Sequence, residues 1–94
     1  MIQLDSKNLA QVLDLKLIKT YHTKKSGDLR AKIELSGRQM SVKCNAKTNT
    51  VISASGYALE VVGIFFGCDG QKPRVDFLYF RRADSEKLKF SIDC

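Results

Sequence analysis

From Leu29 to Ser36 apolar and polar residues alternate without a break. Leu29, Ala31, Ile33 and Leu35 fall on one face of an extended chain, and Arg30, Lys32, Glu34 and Ser36 fall on the other. A period of two with one apolar face predicts a half-buried β-strand. Ser36-Gly37-Arg38 then turns the chain, and Met40, Val42 and Cys44 alternate with Ser41, Lys43 and Asn45, which predicts an antiparallel partner. Upstream, Leu9, Val12 and Leu13 recur at helical spacing behind Asp5 and Ser6, residues able to accept hydrogen bonds from a first turn. This predicts a helix over about Ser6 to Leu13, too short to persist in water unless it docks. After Asp14 the period shortens, and Leu15 to Thr23 reads as a strand.

In the second half, Thr50 to Ser53 is a short β-branched run suited to an edge. Tyr57 to Phe66 is apolar on both alternating faces apart from Glu60, as in a central strand. Gly63 within it disfavours helix by about 1 kcal/mol relative to alanine, and Val61, Val62 and Ile64 are β-branched. Around Asp69-Gly70 the chain turns, Arg74 to Arg81 forms another strand, and Leu88, Phe90 and Ile92 alternate with polar neighbours in a last one. The fold expected is α+β: a short N-terminal helix packed on a curled antiparallel β-sheet or small open barrel of six to seven strands. With 94 residues and no repeat or Pro/Ser-rich linker, residues 1–94 read as a single domain.

Charge changes this picture more than composition does. The chain carries 16 Lys+Arg against 10 Asp+Glu, a net charge of +6. The segment 16–47 alone holds Lys16, Lys19, Lys24, Lys25, Arg30, Lys32, Arg38, Lys43 and Lys47 against only Asp28 and Glu34, so the remainder is close to neutral. Such asymmetry points to an anionic partner for the first half. If the strands pair as read, several of these cations share one sheet surface with Tyr21 as the aromatic placed among them. Cations that track phosphates beside rings that stack bases are what single-stranded nucleic acid requires. The expected function is a non-enzymatic module binding single-stranded DNA or RNA through this face. The alternative is a small inhibitor, immunity or assembly factor docking on an acidic protein surface, with a homodimer through a sheet edge also open. Tyr79, Arg81 and Arg82 form a secondary candidate patch.

Residues suited to covalent or metal chemistry are sparse. His22 is the one histidine, and Cys44, Cys68 and Cys94 lack paired zinc spacing, so no metal site and no cofactor is expected. An odd number of widely spaced cysteines suits free thiols in a reducing compartment, which with a start unlike a secretory signal gives a cytoplasmic expectation. The apolar run Val61 to Phe66 is too short to cross a bilayer. A Cys44–His22 pair could act as a nucleophile only if the side chains met. Gly63, Gly67 and Gly70 before Lys72 lack the Gly-Lys-Ser/Thr of a phosphate loop. Asp69, Asp84 and Glu86 fall in turns, and Asp76 is read as the partner of Arg74 or of a cross-strand lysine.

Overall fold

In the computed structural model, which describes residues 5–23, 29–44, 49–67 and 70–93, the chain opens on a turn held by Asp5. The Asp5 carboxylate accepts hydrogen bonds from the amides of Lys7 (2.8 Å) and Asn8 (3.0 Å), and Asn8 Oδ1 accepts from the Asp5 amide (2.8 Å). These local bonds compete with helical ones, so the helix α1 spans only Leu9–Leu13, starting later than its apolar spacing suggests. Its fully buried residue Leu9 anchors it against the first and last strands. Asp14, in the left-handed conformation (φ 55°), ends the helix. Its carbonyl accepts from the Ser36 amide, which ties the helix exit to the first hairpin turn.

Seven strands follow: β1 Leu15–His22, β2 Leu29–Leu35, β3 Arg38–Cys44, β4 Val51–Ala54, β5 Tyr57–Phe65, β6 Arg74–Arg81 and β7 Glu86–Asp93. Among the described residues they form two antiparallel sheets, ordered β1-β2-β3 and β4-β5-β6-β7, with no closed barrel. The expected single curled sheet is thus divided. The division falls at Thr50, whose amide donates to the Lys43 carbonyl, whose hydroxyl accepts from the Lys43 amide (2.8 Å), and whose carbonyl accepts from the Val61 amide (2.9 Å). Within one residue the chain leaves β3 and joins β5. On this side β3 lies against β5, and on the other β1 lies against β7. Leu17, Ile33 and Val42 of the first sheet face Leu59, Val61, Val75, Phe77 and Phe90 of the second. At about 1.5–3 kcal/mol for each large apolar side chain fully buried, this shared layer supplies the main stabilising term.

The β2–β3 hairpin closes through Ser36 (φ 51°) and Gly37 (φ 83°), the two successive positive-φ residues of a tight turn whose twist matches the strands. Two other irregularities decide which side chains reach the surface. In β1 the pairing shifts between Leu17, opposite Ile33, and Lys19, opposite Lys32, leaving Ile18 as an extra, 40% exposed residue. In β5 it shifts between Val61, opposite Phe77, and Gly63, opposite Asp76. Strict alternation from Leu17 and Val61 would turn Lys19, Tyr21, Gly63 and Phe65 toward the core. Each β-bulge inserts one residue and sends the following side chains outward instead. Among the described residues, no helix is long and apolar enough to cross a membrane.

Candidate nucleic-acid interface

Past its bulge, β1 presents Lys19 and Tyr21 on the outer face of the three-stranded sheet. Cross-strand register then builds three rows there: Lys16 beside Glu34 and Gln39, Lys19 beside Lys32 and Ser41, and Tyr21 beside Arg30 and Lys43. The Tyr21 hydroxyl donates to Ser41 Oγ at 3.1 Å. Ser41 sits two strands away, about 10 Å at the usual strand spacing, so the tyrosine lies across β2 instead of standing off the sheet. Lys19 Nζ is 5.5 Å from the centre of its ring. Two direct cross-strand pairs on this face, Lys19–Lys32 and Arg30–Lys43, are pairs of like charge. Among the described residues no carboxylate forms an ion pair with Lys19, Lys32 or Lys43.

The remaining members of the expected patch separate from this core. Lys16 is at the end of the face and 3.8 Å from Asp14. Arg38 is opposite Leu35, a core-facing position, so its side chain belongs to the other side of the sheet, at a hollow lined by Met40, Ala54 and Tyr57. Lys24, Lys25 and Lys47 lie outside the described residues.

The secondary patch does not assemble. Tyr79 alternates inward between Phe77 and Arg81, is only 5% exposed, and packs its ring 5.5 Å from that of Tyr57. Arg81 is held by Asp84 (2.7 Å) and Glu86 (2.5 Å), which raises the guanidinium pKa and lowers that of the Asp84 carboxyl. Arg82 is exposed in the turn beyond, its amide donating to the Gly56 carbonyl. The Arg81 charge is thus taken up in closing the β6–β7 turn.

Candidate reactive groups are likewise dispersed. His22, Leu29 and Cys44 share one row of the register, which puts β2 between the histidine and cysteine backbones. Burial, then the Glu60 carboxylate, pushes the Cys44 thiol pKa up. An ordinary thiol is only about 3% thiolate at pH 7, and Cys44 lies below that. Iodoacetamide at pH 7, followed by peptide mass analysis, is therefore expected to modify Cys44 more slowly than a cysteine in a short peptide; faster modification would indicate an activated thiol. Cys68, Asp69 and Cys94 lie outside the described residues. Asp76 is occupied as expected, 3.1 Å from Arg74 Nε and accepting from Ser91 Oγ at 2.5 Å. No group of three or more metal-ligating side chains occurs among the described residues.

One cluster is not among the candidates that the sequence pattern singles out. Phe65, turned outward by the β5 bulge, is 47% exposed and carries the Arg74 guanidinium 4.3 Å above its ring. The ring leans back over Gly63, where any Cβ would come within 3.0 Å of it. Phe66, also exposed, and Lys72 join them around an open groove of about 690 Å³. Gly67 (φ 79°) lets the backbone approach Gln71–Pro73 closely at the edge of this groove. The signal was an isolated glycine inside a strand pattern, a mark of a bulge that reverses every later residue.

Comparison of the chain with protein-family models, with curated proteins and with solved structures finds no match in any of the three.

Proposed function

We propose that the chain is a non-enzymatic binding module that takes single-stranded nucleic acid across the outer face of β1, β2 and β3. The observation that carries this reading is the like-charge cross-strand pair Lys19–Lys32, with Arg30 and Lys43 in the next row, beside a tyrosine laid along the sheet. Like charges directly opposite on a sheet are destabilising, by up to about 1 kcal/mol a pair. A polyanion removes that repulsion by placing phosphates over the cations, so the arrangement costs stability in the free protein and gains affinity in the complex. A ring lying along the surface offers a base a stacking face that is indifferent to sequence.

Fluorescence anisotropy of labelled single- and double-stranded DNA and RNA, from 50 to 200 mM salt, tests it. Four phosphate contacts released at about 0.7 counterion each predict a log–log slope near −3 for a single strand. Micromolar or tighter single-strand binding at physiological salt is the expected result. Equal affinity for duplex would reduce the face to a general polyanion surface, and a weak signal that vanishes with salt would turn the reading to a protein partner.

A second reading, a protein-interaction domain of the inhibitor, immunity or assembly-factor kind, is favoured by the other sheet. Its outer face carries Val51, Ala58, Leu78 and Phe80 around a shallow depression rimmed by Glu60 and Lys87. Val51 is 57% exposed. Homodimerisation through this sheet's edges is opposed by the four-residue length of β4 and by Lys87 and Lys89 on β7.

A further inference from the structure

We infer that Phe65, with Arg74 stacked on it, is a second base-stacking station for the same nucleic-acid strand, an inference that rests on the binding reading above. Its construction repeats that of Tyr21. In both places a β-bulge two or more residues upstream turns an aromatic side chain from the core face to the surface. In both a cation then lies over the ring, Lys19 at 5.5 Å and Arg74 at 4.3 Å. Exposing half of a phenylalanine costs the folded chain burial that an unshifted strand would have kept. Such a ring is suited to a ligand with a flat face.

The chemistry around Phe65 selects the nucleobase. Arg74 is held by Asp76 and lies cross-strand from the ring, its guanidinium carbon 4.3 Å from the ring centre, which puts a planar cation beside any base that stacks there. Lys72 adds a second cation at the groove. The groove also continues to the basic face. Arg74 and Asp93 line both this hollow and the adjoining one between β1 and β7, whose far wall is Lys16 and Leu17. Lys16 is itself the last cation on the β1–β3 face. A strand leaving Lys19 and Lys32 therefore meets Lys16, Arg74 and Lys72 in turn, with Phe65 at its end; the carboxylates along the way are Glu34 and Asp14 beside Lys16, Asp76 paired with Arg74, and Asp93 between the two hollows.

Phe65→Trp supplies the test, because the chain has no tryptophan of its own. The variant is titrated with a fifteen-residue oligothymidylate and with an abasic strand of equal length and charge, reading tryptophan emission alongside anisotropy of the labelled strands. Oligothymidylate is expected to quench the emission, and the abasic strand to leave it unchanged. Phe65→Ala should weaken oligothymidylate binding about 5- to 150-fold, the worth of one stacked base. Phe65→Leu, which keeps apolar volume against Gly63 and loses the flat face, should weaken it comparably while preserving the thermal melting point. Normal binding with unquenched emission and unchanged affinity in both truncations overturns the second station and leaves the basic face standing. Failure of the unmodified protein to bind oligothymidylate overturns both together.

Discussion

Replacing Arg30, Lys32 and Lys43 together by glutamate is expected to abolish single-strand binding while leaving the fold intact. All three occupy outward positions of the three-stranded sheet, and their strand neighbours Ala31, Ile33 and Val42 carry the core contacts. Lys32→Glu also places a carboxylate opposite Lys19, converting a repulsive pair into an attractive one; Arg30→Glu with Lys43→Glu exchanges one like-charge pair for another. The Lys32 and Lys43 changes should therefore cost little stability, and any loss should trace to Arg30, whose Nε is buried. Binding should not survive. A charge pair at about 4 Å in water is worth roughly 1 kcal/mol, and reversal turns attraction into repulsion of the same size. Three sites amount to about 6 kcal/mol before salt screening, which predicts a loss of at least ~10³-fold in affinity by anisotropy. The reversals take the net charge from +6 to zero, which favours self-association. The triple glutamine variant, which keeps a positive chain, is the companion measurement, expected to lower the salt slope by about two. Affinity within tenfold of the unmodified protein, with an unchanged circular dichroism spectrum, would reduce the face to a solvated surface.

The largest expected effect on stability is that of Phe77→Ala. Phe77 is fully buried at the centre of β6, opposite Val61 on one side and Phe90 on the other, and stacks on the Phe90 ring at 5.4 Å. Truncation removes the ring's transfer free energy and leaves a cavity that two paired sheets cannot close, a loss of about 3–5 kcal/mol. A chain of this length has about 5–14 kcal/mol in total. The melting temperature should fall by about 12–40 °C, read by circular dichroism or by urea titration. A change below 1 kcal/mol would mean that the two sheets do not share the core described above.

The alternation in Leu29–Leu35 and in Met40–Cys44 was legible because one face of each strand is buried and the other is wet. Pattern and environment agree there residue by residue, and the cluster of Arg30, Lys32 and Lys43 followed directly. Tyr21 was legible as a member of the patch only by proximity in sequence. What brings it to the outer face is the extra residue at Ile18, and a bulge alters no composition and leaves only a broken period. The same defect hid Phe65 among the apolar residues of β5, although Gly63 marked the place. Arg38 was misplaced because the turn at Ser36–Gly37 returns it opposite Leu35, a matter of register that a count of charges cannot resolve. Tyr79 shows the converse: a tyrosine between apolar residues and two arginines reads as a surface edge, whereas strand parity puts it in the core.

The order of strands has a consequence for how quickly the chain can fold. Within each sheet every strand pairs only with its neighbour in sequence, so the ladders require the closure of short loops alone, and the entropy lost in closing a loop rises with its length. Pairing between sequence neighbours favours fast formation of each ladder, since local contacts form before non-local ones. The contacts between the sheets span the whole chain, from Leu17 to Phe90. The expected kinetic counterpart of the architecture is two meanders that form early and clasp late across the crossing at Thr50, so Phe77→Ala should speed unfolding more than it slows folding.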